Sequence, residues 1–179
     1  MINYNKVILG TGSYDNVLSG NRVSISGDGG NLKGFVGPAY KKLAPRLFTY
    51  EAYKEGLTKE LELKEDLTKV KEYLEYRKNL EWEYIKSYFD TKLKDLDVYE
   101  LLRTLYDKFG DNIIALCYED VDLFCHRRVL ADYIYLITGI YIPELILSSE
   151  GIITEVHPIR YIEPLKVLMD SHNIKYKCK

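Results

Sequence analysis

The chain has few cysteines and lacks a long apolar run. Cys117, Cys125 and Cys178 are odd in number and do not form the paired pattern of a secreted disulfide framework, so we expect reduced thiols. No apolar stretch is close to the length of about 20 residues that a membrane-spanning helix needs. The first residues, Met1 to Lys6, also lack the charged and then apolar pattern of a signal peptide. We therefore expect a cytoplasmic protein with no membrane partner.

An excess of charge of either sign is also missing. The sequence contains 25 basic and 27 acidic residues, which gives a net charge of -2. Proteins that bind nucleic acid through a broad surface usually carry a clear basic excess. That class is therefore disfavoured, whereas a local basic pocket for a small anionic or nucleotide-like ligand is compatible with the composition.

Tryptophan and phenylalanine are scarce, with one and five residues, whereas tyrosine is abundant, with 17. Together with many Ile, Lys and Asp residues, this composition fits an AT-rich coding source such as a low-GC bacterium or its phage. A length of 179 residues, 46% of them hydrophobic, is enough for one domain with a proper core and too short for two large ones. We therefore expect a single domain over residues 1–179 without internal repeats.

Apolar periodicity predicts alternating strands and helices. Residues 1–49 are expected to contain strands at Lys6–Leu9 and Arg22–Ser26, with loops at Gly10–Ser13 and, at greater length, Gly27–Pro38. Residues 50–110 form a helical segment. Within it, residues 50–86 are predicted as helix from the spacing of Leu63, Leu67, Val70 and Leu74, and a second helix starts at a capping box formed by Asp97 and Glu100 and ends at Gly110.

The remaining chain continues this alternation. Residues 111–142 predict a βαβ unit with a strand at 113–118, a helix at 124–138 and a strand at Ile140–Ile142. Residues 150–179 predict a smaller βαβ-like unit: a strand at Ile152–Val156, a helix from Pro164 and a strand at Ile174–Tyr176. The expected fold is α/β: a single three-layer, Rossmann-like domain with a mainly parallel sheet and helices on both faces.

Reactive side chains concentrate where the strand at 113–118 ends. A buried apolar run leads to Cys117 and Glu119, and Cys125, His126 and Arg127 open the helix that follows. Open α/β sheets bind ligands at the carboxyl ends of their strands. The sequence therefore predicts a site at this edge, with Cys117 and Glu119 as candidate catalytic residues.

The motifs at this site resemble those of the bacterial and phage family called the domain-of-unknown-function 488 family. The resemblance is carried by Ala115–Glu119, Phe124–Arg127 and Leu130–Asp132, similar to the family's Cys-x-Glu and Cys-His-Arg signature. Further similar segments are Thr11–Tyr14, Val23–Ser26, Gly34–Tyr40 and Leu43–Pro45, so the resemblance covers roughly residues 6–142. It implies the α/β fold class but no particular reaction.

Each candidate catalytic residue has a structural and a chemical interpretation. Cys117 is either a small buried apolar residue or a nucleophile, since nearby cations and the helix N-terminus would favour a thiolate. Glu119 either pairs with Arg127 and fastens the loop or acts as a general base or nucleophile. Enzymes that cleave N-glycosidic bonds use such a carboxylate beside a hydrogen-bonding cradle for the sugar, which Tyr14, Ser24 and Ser26 could supply by analogy.

Other polar residues are candidates for ligand binding. The full predicted set is Thr11, Ser13, Tyr14, Ser24, Ser26, Tyr40, Cys125, His126 and Arg127. Tyr40 could stack on a base or pack in the core, and Lys41, Lys42 and Arg46 could hold a phosphate or be surface cations. Asp132, a polar residue within an apolar helix, is expected to tether Arg127 or an upstream loop.

Zinc is the alternative to a site without a cofactor. Cys117, Cys125 and His126 are suitable ligands, with His157 a remote fourth candidate. However, neighbouring residues on a helix point about 100° apart, so Cys125 and His126 would not easily reach one ion. The residues that follow Cys117 and Cys125 also match neither the motif of tyrosine phosphatases nor a redox Cys-x-x-Cys motif. We therefore predict no metal or other cofactor.

Three functions remain open at this point. The first is an enzyme, a hydrolase or transferase, that acts on a nucleotide, nucleoside or modified base. The second is a module that sequesters such a ligand without converting it. The third is an interaction protein or homodimer that uses the aromatic residues of the 73–88 region, namely Tyr73, Tyr76, Trp82, Tyr84 and Tyr88.

Overall fold

A computed structural model describes residues 2–64 and 70–177 of the chain. Their strands form one five-stranded sheet in the order β2-β3-β1-β4-β5. The strands are β1 (Ile8–Ser13), β2 (Asn21–Ser24), β3 (Ile113–Cys117), β4 (Glu144–Leu147) and β5 (Ile153–Val156). All neighbouring strands pair in parallel except β4 and β5, which are antiparallel. The predicted α/β fold with a mainly parallel sheet is confirmed, and the architecture is consistent with three layers.

The main helices of the described chain are α1 (Leu47–Lys64), α2 (Val70–Tyr88), α3 (Val98–Phe109), α4 (His126–Thr138) and α5 (Ile162–Ser171). A π-helical turn, Phe89–Leu93, follows α2 directly. The largest apolar cluster joins α2, α3, α4 and α5 to the sheet, and a smaller cluster around Val17, Leu116 and Leu145 covers other residues of the strands. None of the described helices combines the length and the apolarity that a bilayer crossing requires.

The predicted helix over 50–86 is instead two antiparallel helices, α1 and α2. Thr49 near the start of α1 hydrogen-bonds to Ser87 near the end of α2, with 2.6 Å between their hydroxyl oxygens. Gly56 lies directly against Leu80, where a Cβ atom would approach the leucine side chain to 2.3 Å. Helical periodicity alone does not distinguish one long helix from two that pack together. Leu67, which supported the single helix, lies outside the described residues.

Strand β1 begins and ends later than predicted. It extends through Ser13, so the predicted loop at Gly10–Ser13 is strand. Both glycines are required by close packing. A Cβ atom at Gly10 would lie 2.5 Å from the Leu145 side chain, and one at Gly12 would lie 2.3 Å from Val17. Strand β1 therefore has glycines where a typical strand has larger apolar residues, because neighbouring segments of the chain pack closely against it.

Two further predicted strands are corrected. The strand expected at Ile140–Ile142 is β4 at Glu144–Leu147, and it begins with a buried glutamate that apolar patterning does not recognise. The segment Ile174–Tyr176 is not a strand; it lies partly buried against the main apolar cluster. The predictions around α3 are confirmed, because the Asp97 side chain accepts a hydrogen bond from the Glu100 N–H at 3.0 Å.

The segment after β5 is held by Asp132 in α4. Its buried carboxylate accepts hydrogen bonds from the Arg160 Nε and from the Tyr161 N–H, both at 2.6 Å. Asp132 is therefore a buried tether, as predicted, but its main partners come from downstream rather than from Arg127 or an upstream loop. This contact fixes the start of α5 against α4.

Candidate active site

A cavity of about 570 Å³ lies where β3, the loop after β2 and the start of α4 meet the α1–α2 pair. Its lining residues are Ser26, Gly27, Asp28, Leu32, Ala44, Pro45, Leu47, Tyr50, Tyr53, Tyr84, Cys117, Tyr118, Glu119, Phe124, Cys125 and His126. Leu32 and Leu47 are exposed and mark its mouth, whereas Cys117, Cys125 and His126 are buried and mark its inner end. The cavity therefore lies at the carboxyl edge of the sheet, where α/β proteins bind ligands.

Two sulfur atoms and one imidazole nitrogen converge at the inner end. The Nδ1 atom of His126 lies 3.7 Å from the Cys117 sulfur and 3.9 Å from the Cys125 sulfur. All three atoms are within 4.8 Å of one another. The sequence-predicted residues Cys117, Cys125 and His126 are thus brought together by the end of β3 and the start of α4.

The geometry of Cys125 explains how it and His126 share one point in space. Cys125 is the N-cap of α4, with extended backbone angles (φ -151°, ψ 142°), and His126 is the first helical residue. The 100° rotation between neighbouring residues applies only within a helix. The expectation that these two side chains would not easily reach one ion assumed that both lie within the helix, whereas α4 starts at His126, two residues after the predicted start at 124.

A backbone hydrogen bond orients the His126 ring. Its Nε2 atom lies 3.2 Å from the carbonyl oxygen of Ile25. A carbonyl only accepts, so Nε2 carries the hydrogen and donates it. In the neutral ring, the lone pair is then on Nδ1, which is the atom that faces the two sulfurs.

Glu119 lies next to this group and lines the same cavity. Its Oε2 atom is 3.4 Å from the Cys117 sulfur, which donates to it. Burial, followed by the negative charge of Cys125, raises the pKa of Glu119 to about 7. The predicted alternative, in which Glu119 pairs with Arg127, does not describe the structure, since Arg127 pairs with Glu144.

The two thiols differ in acidity. The neighbouring Cys125 side chain, together with burial, raises the pKa of Cys117 well above its ordinary value. Burial also acts to raise the pKa of Cys125, but the neighbouring Cys117 side chain and the positive charges of Arg127 and His126 outweigh burial and lower it.

Aromatic side chains form much of the cavity wall. The ring centroids of Tyr53 and Tyr84 are 5.2 Å apart, and Phe124 lies 5.2 Å from Tyr53 and 4.9 Å from Tyr84. Tyr50 and Tyr118 also line the cavity. Planar rings at this spacing favour a flat, partly apolar ligand.

A chain of hydroxyl groups supports the loop that borders the cavity. The Tyr14 hydroxyl lies 2.6 Å from the Ser24 hydroxyl and 2.8 Å from that of Ser26, which in turn donates to Asp28 at 2.8 Å. Asp28 also accepts from the Tyr118 hydroxyl. Tyr14, Ser24 and Ser26 therefore do lie together, as predicted, but they bond to one another and only Ser26 lines the cavity.

Replacing Asp28 by Asn is expected to destabilise the protein by about 1–2 kcal/mol at pH 7, because an amide cannot accept all the hydrogen bonds that the carboxylate accepts. Burial acts to raise the pKa of Asp28, but bonds from Tyr118, the Gly30 N–H, Ser26 and the Leu32 N–H hold it well below its ordinary range. A carboxyl with a lowered pKa stabilises the fold above the unfolded pKa, about 4, and loses this effect as pH falls below it.

Urea unfolding of the wild type and Asp28→Asn at pH 7 and pH 3 measures this effect. We expect the difference in unfolding free energy to shrink at the lower pH. An equal difference at both values would show that the charge of Asp28 does not stabilise the loop.

The other predicted ligand-binding residues lie away from the cavity lining. Thr11 bonds to Glu144 and Arg128 inside the protein, with oxygen–oxygen and nitrogen–oxygen distances of 2.5 and 2.7 Å. Ser13 is buried and accepts from the Asn16 N–H. Tyr40 packs against Phe109. These three residues therefore support the structure around the site rather than line it.

Arg127 is also part of the interior. Its Nε and Nη2 atoms lie 3.0 and 2.7 Å from Glu144 Oε1, and Nη2 donates to the Asp120 carbonyl at 3.2 Å. Its side chain is fully buried and does not line the cavity. Arg127, predicted as a ligand-binding residue, therefore forms a buried ion pair that joins α4 to β4.

The structure also gives the positions of three further sets of predicted residues. Lys41, Lys42 and Arg46 are exposed and do not line the cavity, although their neighbours Ala44 and Pro45 do. Of the aromatic residues predicted to bind a partner, Tyr84 and Tyr88 are buried in the core, whereas Tyr73, Tyr76 and Trp82 are half-buried. His157, the remote fourth zinc candidate, is exposed and is not part of the sulfur–imidazole group.

Sequence reasoning missed Tyr53, Phe124 and Asp28 as parts of the site. Tyr84 was noted, but as a partner-binding residue. The available signal was the concentration of tyrosines on α1 and α2, which predicts an apolar face without showing what that face covers.

Comparison with known proteins finds no matching protein-family model, no matching curated protein and no matching solved structure. Membership of the domain-of-unknown-function 488 family, expected from the sequence motifs, therefore stays a prediction.

Proposed function

We propose that this protein is a hydrolase that cleaves a carbon–nitrogen bond in an uncharged nucleoside or nucleobase. The observation that carries the proposal is the placement of a carboxyl group, Glu119, beside the sulfur–imidazole group in a cavity with aromatic walls. The cavity of about 570 Å³ lies within the range of about 300–1,000 Å³ that is usual for small-molecule sites.

The walls support a planar substrate. Tyr53, Tyr84 and Phe124 line the cavity and pack against one another in edge-to-face and tilted arrangements. Aromatic rings that reach a cavity can stack on any base. Among the described residues, the lining contains no lysine or arginine. A phosphate would have no lysine or arginine partner there, so, of the ligands that the sequence left open, the lining favours a nucleoside or free base over a nucleotide or another anion.

Glu119 supports the hydrolytic chemistry. A carboxylate beside a bound water accepts a proton from that water while the water oxygen bonds to the substrate carbon. The carbon–nitrogen bond then breaks, and the same carboxyl group returns the proton to the departing nitrogen. One water is consumed, the carbon gains oxygen, and ammonia or a free base leaves.

The test is incubation of the full wild-type chain with single compounds: adenosine, cytidine, their free bases and their methylated derivatives. We expect at least one to be converted, with ammonia or a free base released, as measured by mass spectrometry of the small molecules. Saturable binding in calorimetry with an unchanged ligand mass would replace this proposal with a sequestering module. Absence of binding by every compound would show that the cavity does not take nucleosides.

A further inference from the structure

The sulfur and nitrogen atoms of Cys117, Cys125 and His126 have the spacing of ligands around a tetrahedral zinc ion. Zinc binds sulfur at about 2.3 Å and imidazole nitrogen at about 2.0 Å, so a tetrahedral angle separates the two ligand atoms by about 3.5 Å. The observed distances from His126 Nδ1 to the two sulfurs are 3.7 and 3.9 Å. Movements of a few tenths of an ångström would bring Nδ1 to this spacing from each sulfur, and the two sulfurs lie within 4.8 Å of each other.

The orientation of His126 is a second, independent observation. Metal-binding histidines usually donate their other ring N–H to a carboxylate, backbone carbonyl or water, which fixes the ring and directs the free nitrogen at the ion. The Nε2 atom of His126 donates to the Ile25 carbonyl, so Nδ1 faces Cys117 and Cys125. The loop after β2 therefore fixes the nitrogen in the position that a metal ligand needs.

We propose that Cys117, Cys125 and His126 bind one zinc ion whose fourth position is open to the cavity. Among the described residues, the group of mutually close ligand atoms has these three members. Structural zinc sites usually have four protein ligands, whereas catalytic sites have three and keep one position for water. All three ligands line the cavity, so the fourth position is accessible to a small molecule.

Glu119 lies where it can exchange a proton with a water bound to this zinc ion. Its carboxylate lies 3.4 Å from the Cys117 sulfur, close enough to reach a water at the fourth position. Zinc-dependent base deaminases use the same types of group: one histidine and two cysteines as ligands, with a glutamate that is not a ligand as general acid and base. The sequence spacing differs from theirs, so the likeness is one of ligand chemistry.

The metal site rests on geometry alone, whereas its catalytic use rests on the proposed function. In that use, the water at the fourth position gives one proton to Glu119 and its oxygen bonds to the substrate carbon. The proton then passes from Glu119 to the departing nitrogen as the carbon–nitrogen bond breaks. Both thiols serve as zinc ligands here, so neither is the nucleophile.

The first experiment measures metal directly. The full chain is purified without a histidine tag, and its zinc content is determined by elemental analysis and by native against denaturing mass spectrometry. The protein stripped with a chelator is then titrated with Zn²⁺ alone and with Co²⁺ alone. We expect one metal ion per chain, and for cobalt a thiolate charge-transfer band with the intense visible bands of a tetrahedral site. Failure of the wild-type chain to bind either ion would overturn the proposal.

Variants assign the ligands. Cys117→Ser, Cys125→Ser and His126→Gln are each expected to lower zinc affinity by more than about 100-fold, since loss of only a supporting partner costs 10–100-fold. Cys178→Ser, at a cysteine outside the described residues, is the matched control and should keep one zinc per chain. If Cys178→Ser loses the metal while Cys125→Ser keeps it, the assigned ligand set is wrong. The cobalt spectrum of the wild type decides the proposal even where a ligand variant fails to fold.

A third set of measurements separates the two proposals. Glu119→Gln should keep the metal and its cobalt spectrum. A wild-type protein that holds zinc but converts no compound would refute the hydrolase and leave the metal site standing. Turnover that is unaffected by complete removal of the metal would refute the catalytic zinc and leave the hydrolase standing.

Discussion

Replacement of Glu119 by Gln is expected to lower kcat by about 10²–10⁴-fold on the substrate found in the compound screen, with little change in KM. Glutamine has nearly the same shape as glutamate, so the cavity wall stays intact. Its amide cannot accept a proton from water and return it to the departing nitrogen. In the absence of a metal, the Cys117 thiol, 3.4 Å from Oε2, can still donate to the amide oxygen. Steady-state kinetics and thermal unfolding of the variant check both statements.

The matched control is Glu155→Gln. Glu155 is an exposed glutamate on the edge strand β5 and does not line the cavity. This variant loses the same charge and should keep kcat and KM within a factor of about 2. If Glu119→Gln keeps full activity, Glu119 is not the proton carrier. If Glu119→Gln unfolds while Glu155→Gln does not, the role of Glu119 is structural.

The central part of the fold could be predicted because its signals are local. The apolar run from Ile113 to Leu116 is long enough to identify a buried strand, and Gly139 ends α4 with the positive φ of 82° that a C-terminal glycine supplies. Cys117 and Glu119 follow this strand directly, and Cys125 and His126 begin the next helix. Short connections between these elements bring such residues to one edge of the sheet whatever the rest of the chain does.

Other features depend on contacts that are distant in sequence. The start of β4 contains the buried Glu144, whose charge is acceptable in a strand because Arg127 and Arg128 lie against it. Strand β1 contains Gly10 and Gly12. Leu145 and Val17 occupy the space that a side chain at these two positions would need. Neither reason is visible until the partner segments are known. The apolar pattern therefore predicted the wrong bounds for both strands.

The aromatic wall was inaccessible to sequence reasoning for the same reason. Tyr53 and Tyr84 lie on two antiparallel helices, and both meet Phe124 only after α1 and α2 have packed against the sheet. A tyrosine at helical spacing has the same pattern in a core, in a cavity wall and on a dimer surface. The zinc hypothesis was disfavoured because the helix was predicted to start at residue 124, whereas Cys125 precedes α4 rather than lying within it.

Replacement of Arg127 by Met is expected to destabilise the fold by about 3–5 kcal/mol. It removes the hydrogen-bonded cation of the buried Glu144 carboxylate and leaves only Arg128, whose Nη1 atom is 3.8 Å away. Both side chains are almost completely inaccessible to solvent, and Arg127 makes two bonds of 3.0 and 2.7 Å to one Glu144 oxygen. Glu144→Gln should destabilise in the same direction. Urea unfolding gives the free-energy change of each variant.

The double variant Arg127→Met/Glu144→Gln distinguishes a net ion-pair contribution from the cost of one unpaired charge. A buried pair that loses both charges leaves no isolated ion, so the double variant should be more stable than the sum of the two single effects predicts, by at least about 1 kcal/mol. Strict additivity would mean that the two residues act independently, which the geometry of this pair contradicts. Because the pair joins α4 to β4, loss of Arg127 should also loosen the start of α4, where Cys125 and His126 lie.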